Sequence, residues 1–299
     1  MLSLHTNNAA LSAQNSIGRT QHSLSTSMTR LSTGYRINSA MDDAAGLQIA
    51  TRLKAQTSGM GVAMRNTQNS ISMLQTAEGA LDETTNILMR MKDLATQAAD
   101  GSSSKDDQDA MQAEFNSLSD ELSNIMSNTK FGGTSLLNNG AGKLQAANVV
   151  FQIGADSAET MDVDFGTAVD KVHTDIALAA LNYDGAASAT TTAGTEISGA
   201  DAAAGATAAN LTIDTLATAI NSVSSLRSQI GAVSNRLDHV YNNLSNITSN
   251  TKNAAGRIMD VDFATESSNM TAKQMLMQAG TAMLKQSNGM SSMVMSLLQ

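Results

Sequence analysis

A heptad pattern of apolar residues between Leu216 and Ile247 constrains the fold of this chain more than any other sequence feature. Two sets of apolar residues each repeat every seven positions. The first set is Val223, Ile230, Leu237 and Leu244, and the second is Leu226, Val233, Val240 and Ile247. An unbroken repeat of this kind predicts a coiled-coil seam. A helix over this stretch would be about 48 Å long at roughly 1.5 Å per residue, which exceeds the roughly 30 Å breadth of a small domain. The sequence therefore predicts a mainly α-helical, elongated rod of long coiled-coil helices.

The composition favours long helices and narrow cores. Proline, the residue that most often breaks a helix, is absent from all 299 residues. Aromatic residues make up 3% of the chain and tryptophan is missing, so aliphatic side chains must pack along helix stripes. Cysteine is missing as well, which excludes disulfides, thiolate metal sites and cysteine nucleophiles.

Charge and hydropathy exclude two classes of partner. The formal net charge is -9 and no block of Lys and Arg occurs, so the chain lacks the basic patch that nucleic-acid binding requires. No stretch approaches the roughly 20 apolar residues of a membrane span. Residues 1–20 contain neither the basic nor the apolar region of a signal peptide. We therefore expect no membrane insertion and, if the protein leaves the cell, export without an ordinary cleaved signal peptide.

Amphipathic helices are predicted at both ends of the chain. Apolar residues repeat at a spacing of seven near each terminus, and a polar break separates each terminal pattern from a longer inner helix. An isolated amphipathic helix is marginally stable, so these ends must pack on each other or on further copies of the chain. The candidate subunit-packing residues are Ile17, Leu24, Leu31, Leu276, Met283, Met290 and Leu297.

Between the two ends, the sequence predicts paired helices and a small β-hairpin. A long helix carries Leu81 and Leu88, and Ser104 with Asp107 has the spacing of a capping box that begins the next helix. Apolar residues alternate on either side of a polar turn near residues 154–158, which predicts a hairpin. Residues 184–210 are dominated by Ala, Thr, Gly and Ser without a period, which is typical of an exposed loop.

The sequence contains no catalytic motif that outweighs a simpler interpretation. The four histidines, including His173 and His239, are scattered and never spaced as metal ligands, so we interpret them as surface or interface residues. Paired aspartates fall mainly at helix breaks, where Asp caps backbone N–H groups. We expect no enzyme and no cofactor or metal site.

Two long segments resemble the signatures of a known family. Residues 30–50, RLSTGYRINSAMDDAAGLQIA, resemble the N-terminal signature of bacterial flagellins, and residues 257–271, RIMDVDFATESSNMT, resemble the C-terminal one. The resemblance covers about residues 1–167 and 209–299, and both chain ends are more similar to lateral, swarming-type flagellins. It implies a subunit that polymerises into the extracellular flagellar filament for swimming or swarming motility, after export through the flagellar type III apparatus.

The resemblance also implies a domain order and a set of partners. Residues 1–42 and 256–299 would form an inner terminal coiled-coil domain, residues 43–167 and 209–255 a rod domain, and residues 168–208 a short variable surface segment. The implied partners are other copies of the chain, a flagellar export chaperone, and the filament cap and hook-associated proteins.

A host innate immune receptor is a further implied partner. Flagellins of some bacteria bind this receptor through the first long helix and its neighbour, and the matching positions here are Arg90, Leu94, Gln97 and Glu114. The intervening residues Met91, Lys92 and Asp93 depart from that pattern. Receptor binding is therefore a hypothesis.

Two other functions compete with that of a filament subunit. A hook–filament junction protein of the same secretion family shares terminal coiled coils. A cytosolic coiled-coil adaptor, which belongs to a different class, would show the same heptads.

Overall fold

The computed structural model describes residues 7–146, 148–185 and 194–297, with side chains described as far as residue 290. Part of the predicted loop, residues 186–193, and the side chain of Leu297 therefore lie outside the described residues. The mainly helical class predicted from the sequence is confirmed. The elements of the described chain are α1 (Asn8–Thr33), α2 (Ala44–Ala98), α3 (Lys105–Asn128), β1 (Lys130–Phe131), β2 (Thr134–Ser135), β3 (Val149–Gln152), β4 (Thr160–Val163), α4 (Gly166–Ala179), α5 (Ala202–Met259) and α6 (Phe263–Leu297).

The chain divides into two compact units, which are described separately. One unit, here the terminal unit, comprises Met1–Thr57 and Thr248–Gln299, and the other, the central unit, comprises Ser58–Ile247. Helices α2 and α5 contribute residues to both units.

The predicted heptad seam lies in the core of the central unit. Its positions on α5 from Val223 to Leu237 are buried, and they pack with large apolar side chains of α2 and α3 in one cluster. Toward the end of the seam, Val240 is half-buried and Ile247 is 38% exposed. The fully buried partners on the other helices include Leu74, Leu81, Leu88, Phe115 and Leu122.

Two local predictions in the central unit are confirmed. The hydroxyl of Ser104 accepts a hydrogen bond from the backbone N–H of Asp107 at 3.2 Å, and the Asp107 carboxylate accepts one from the backbone N–H of Ser104 at 3.1 Å. This capping box begins α3 by satisfying N–H groups that the helix leaves free. The hairpin is formed by β3 and β4, which pair antiparallel with Phe151 opposite Met161.

The segment predicted to lie at the surface, residues 168–208, contains several buried residues. Most of α4 falls in this range, and its Val169 and Ile176 are fully buried. Ile197 is also fully buried, and its backbone N–H donates to the side-chain oxygen of Gln112 on α3 at 2.8 Å. The spacing of Val169, Val172 and Ile176 by three and four is that of a buried helix face, whereas Ile197 stands alone among small and polar residues, so no period indicates its burial.

A buried histidine fixes α4 to neighbouring segments of the central unit. His173 is 4% exposed, so the surface interpretation is wrong for this residue. Its Nε2 lies 2.8 Å from the carbonyl oxygen of Leu137, and its Nδ1 lies 2.6 Å from the hydroxyl of Tyr183. Because a carbonyl only accepts, Nε2 carries the proton and Nδ1 accepts from Tyr183. Burial lowers the pKa of His173, although the Leu137 carbonyl and the charge of Asp170 oppose the shift.

The lowered pKa predicts how stability depends on pH. Below about pH 6.5 the unfolded chain binds a proton at residue 173 that the folded chain does not yet bind, so the free energy of unfolding should fall as pH drops. We expect His173→Gln to weaken this dependence in urea unfolding of the monomer between about pH 5 and pH 8. His239→Gln, an exposed histidine of the same unit, should leave it unchanged. An equally steep dependence in both variants would contradict neutral burial of His173.

Two isoleucines of the heptad seam provide a matched test of the core. Ile230 is 1% exposed and Ile247 is 38% exposed on the same helix. Ile230→Ala should lower the free energy of unfolding by about 2–5 kcal/mol, because it deletes buried atoms and leaves a cavity. Ile247→Ala should cost less than about 1 kcal/mol. Urea unfolding of the two variants compares these values, and equal losses would show that the seam is placed incorrectly.

Candidate assembly surface

The terminal helices α1 and α6 pack against each other in antiparallel orientation. The side-chain amide of Asn7, the residue that caps α1, donates to the backbone carbonyl of Ser287 at 3.2 Å. Farther along the pair, the ammonium group of Lys273 donates to the hydroxyl of Ser27 at 2.8 Å. Residue numbers therefore rise along α1 as they fall along α6.

Small and polar side chains lie in the contact between α1 and α6. Ser27 is fully buried, and a Cβ added at Gly280 would lie 2.9 Å from Cγ1 of Ile17. The backbone of α6 can approach α1 this closely because glycine has no side chain. Three of the predicted packing residues are on this side of α1: Leu24 is buried, and Ile17 and Leu31 are half-buried.

The C-terminal packing residues lie on a different face of the pair. Leu276, Met283 and Met290 are 62%, 68% and 55% exposed. At 3.6 residues per turn, they form a stripe that is turned on average roughly 70° about the helix axis from the α1-facing residues Lys273 and Gly280. We name the three exposed residues the α6 stripe. The sequence pattern predicts these residues as one line, and all three side chains are exposed in the structure.

The remaining side of α6 is polar. Its exposed residues include Thr271, Gln274, Gln278 and Lys285. Helix α6 thus has one face against α1, one exposed apolar face and one exposed polar face. An exposed apolar stripe with polar residues beside it is typical of a surface that packs against another protein.

The segments that connect the terminal helices to α2 and α5 pair with each other. Gly34 ends α1 in the left-handed conformation, with φ of 76°, which favours glycine. Its carbonyl accepts from the backbone N–H of Val261 at 3.0 Å, and the backbone N–H of Arg36 donates to the carbonyl of Met259 at 2.6 Å. The Arg36 guanidinium also donates to the carbonyl of Ile258 at 3.0 Å. The two signature segments of the sequence are therefore joined in space.

Charged side chains strengthen this junction. Arg30 lies 3.7 Å from Asp42 and 4.0 Å from Glu266, measured between guanidinium nitrogen and carboxylate oxygen. Asp42 accepts hydrogen bonds from the backbone N–H groups of Asn38 and Ser39, and these lower its pKa. The carboxylate thus holds the loop after α1 in one conformation.

The residues matched to an immune-receptor contact divide into exposed and buried groups. The guanidinium of Arg90 on α2 donates to the carboxylate of Glu114 on α3 at 2.6 Å, and both side chains are about half exposed. Gln97 is exposed as well. Leu94 is 2% exposed and belongs to the core cluster. Only the three polar residues are therefore available to a partner of the folded chain.

Two other kinds of site are absent from the part of the chain that the structure describes. None of its helices is long and apolar enough to cross a membrane. No three or more of its described His, Asp and Glu side chains gather as a metal site would require.

Long paired helices and an exposed apolar stripe are typical of a structural protein that packs against other protein chains. Family models agree with this class: the bacterial flagellin N-terminal helical region matches residues 4–141, and the bacterial flagellin C-terminal helical region matches residues 213–298. The chain belongs to the bacterial flagellin family. It is a structural subunit that polymerises with copies of itself into the extracellular flagellar filament, the structure that drives motility.

Relatives support the filament subunit over the competing functions. Flagellin A of Vibrio anguillarum is 35% identical over 100% of both chains, and polar flagellin B/D of Vibrio parahaemolyticus is 33% identical over 99% of both. The structure of a putative flagellar hook-associated protein from Vibrio parahaemolyticus is 16% identical, with a TM-score of 0.53, and covers 73% of this chain and 100% of that chain. That likeness concerns the fold alone. The lateral subtype stays a prediction.

Two glycines provide a matched test of the contact between α1 and α6. A Cβ at Gly280 would crowd Ile17, whereas a Cβ at Gly18 would meet nothing within 4 Å. Gly18→Ala should stabilise α1 by about 0.5–1 kcal/mol because alanine loses less backbone entropy in a helix. Gly280→Ala should instead weaken the pair. Hydrogen exchange of α1 amides should slow in the first variant and accelerate in the second; slower exchange in both would contradict the close approach.

Proposed function

We propose that the α6 stripe is the surface on which one copy of the chain packs against its neighbours in the filament. The observation that carries this proposal is the exposure of Leu276, Met283 and Met290 on a helix whose other apolar contacts face α1. Burying a large apolar side chain contributes roughly 1.5–3 kcal/mol, so three such residues provide a substantial driving force. Contacts between unlike surfaces that do not close into a ring produce helical filaments.

The proposal gives the predicted packing residues two roles. Ile17, Leu24 and Leu31 hold α1 against α6 within one chain, and thereby orient the stripe. The residues of the stripe then meet the neighbouring subunit. Leu297 follows Met290 at the same spacing of seven, and we propose it as a packing residue on this sequence spacing alone.

A charge in the stripe tests this assignment. Leu276→Asp or Met283→Asp would place an unpaired carboxylate in a desolvated contact, which costs several kcal/mol, so seeded filament elongation should slow at least about a hundredfold. Gln278→Asp adds the same charge on the polar face and should elongate normally. Circular dichroism of the monomers should show equal helix content. Normal elongation by both stripe variants would show that α6 packs through another face.

The α6 stripe also needs a binding partner that shields it from solvent before the subunit assembles. An exposed apolar stripe on a free subunit favours aggregation, so we propose that a flagellar export chaperone binds α6 before export. We further propose that the chain is exported through the flagellar type III apparatus without cleavage of a signal peptide. It would then contact the filament cap and hook-associated proteins. A chaperone that binds the stripe should be lost from Leu276→Asp in co-purification and retained by Gln278→Asp.

The proposed domain order follows the two family signatures. Residues 1–42 and 256–299 form the inner terminal domain, and residues 43–167 and 209–255 form the rod domain. The burial of α4 and of Ile197 supports including their segment in the rod domain.

A host innate immune receptor is a second proposed partner, through Arg90, Gln97 and Glu114. Their exposure on α2 and α3 supports this role, whereas burial assigns Leu94 to the core. In a receptor-reporter assay with monomer, we expect Arg90→Ala and Gln97→Ala to reduce signalling, and Arg236→Ala, which changes an exposed arginine of α5, to leave it unchanged. Equal signalling by all variants would exclude the contact.

A further inference from the structure

We propose that methionine oxidation on α6 controls whether a free subunit can join the filament. The sites are Met283 and Met290 of the α6 stripe and Met275, an exposed methionine beside the stripe. The reactant is a two-electron oxidant such as hydrogen peroxide. This inference rests on the proposed function of the α6 stripe, because it concerns a chemical change at that surface.

The distribution of methionine supports the choice of site. The chain contains 19 methionines and no cysteine, so thioethers are its only sulfur groups open to oxidation. Met275, Met283 and Met290 are 59%, 68% and 55% exposed. By contrast, Met91 and Met126 are fully buried in the core of the central unit. Access to an oxidant in solution therefore separates the α6 methionines from the core ones.

The reaction balances without a cofactor. The thioether sulfur donates an electron pair to one oxygen of the peroxide, the O–O bond breaks, and the sulfur keeps one oxygen as a sulfoxide while water leaves. The side chain becomes polar and chiral. A sulfoxide oxygen in a desolvated contact needs a hydrogen-bond donor that an apolar surface does not supply. Oxidised subunits should therefore pack poorly, whereas subunits already in the filament keep these sulfurs covered.

Other exposed methionines distinguish this effect from general damage. Met28, Met41 and Met89 are 56%, 96% and 46% exposed, but none of them is on α6. Met41 is on the loop after α1. Their oxidation consumes the same reagent at positions outside the α6 stripe, so they provide the matched control.

The experiment compares three forms of the full chain. These are the unchanged chain, an α6 variant with Met275→Leu, Met283→Leu and Met290→Leu, and a control variant with Met28→Leu, Met41→Leu and Met89→Leu. Leucine keeps apolar character and similar volume, so all three should elongate seeds before treatment. Each is treated with hydrogen peroxide as monomer, and peptide mass spectrometry measures sulfoxide at every methionine.

We expect oxidation to slow elongation at least about tenfold in the unchanged chain and the control variant, and less than about twofold in the α6 variant. Methionine sulfoxide reductases that act on both epimers should restore elongation. In assembled filaments, the α6 methionines should form sulfoxide more slowly than in monomers. Equal inhibition of the α6 variant, or equal oxidation in filament and monomer, would overturn the inference.

Failure of this inference can be separated from failure of the proposed function. If Leu276→Asp blocks elongation without oxidant but oxidation has no effect on the unchanged chain, the stripe is the packing surface and only the oxidation proposal is wrong. If Leu276→Asp elongates normally, the assignment of the stripe is itself wrong.

Discussion

The pairing of two backbone segments far apart in sequence is the constraint on which the terminal unit depends. Gly34 accepts from Val261, and Arg36 donates to Met259, so the end of α1 is held in register with the start of α6. Once that register is set, the antiparallel path brings Ser27 to Lys273 and Gly280 to Ile17. The orientation of α6 about its own axis follows, and with it the direction in which Leu276 and Met283 point. The short junction between the two signature segments thereby determines which residues of α6 are exposed to other molecules.

Much of this arrangement could be predicted from the sequence, because apolar periodicity and capping residues report local structure directly. The α5 seam, the start of α3 at Ser104 and the β3–β4 hairpin all follow from such patterns. The burial of Ile197 could not, since it stands alone among small residues and its partner Gln112 is distant in sequence. His173 shares the helical spacing of Val169 and Ile176, but the carbonyl of Leu137 that binds it is distant in sequence. The side of α6 that contacts α1 could not be predicted either. Gly280 approaches α1 closely there, and a glycine does not contribute to an apolar pattern.

The two terminal helices divide their apolar surface between folding and assembly. Within one chain, the contact combines Leu24, Ile17 and Leu31 of α1 with small groups such as Ser27 and Gly280. The side chains of Leu276 and Met283 are exposed in the single chain, and the proposed function assigns them to contacts between chains. This division favours the polymer over the isolated pair, since most of the burial on α6 becomes available only when a neighbour arrives. The net charge of -9 opposes unspecific association of free subunits in the meantime.

The predominance of methionine over branched residues on the exposed face of α6 has a mechanical consequence. A methionine side chain has three rotatable bonds and no branch, so it can fill contacts of slightly different shape at little cost in energy. A rotating filament bends, and its curvature periodically lengthens contacts on one side and shortens them on the other. Thioether side chains at Met283 and Met290 can follow those cycles by changing rotamer, where isoleucine or valine would meet steric resistance. The α6 stripe would then stay in contact with the neighbouring subunit while the distance between the two subunits changes slightly.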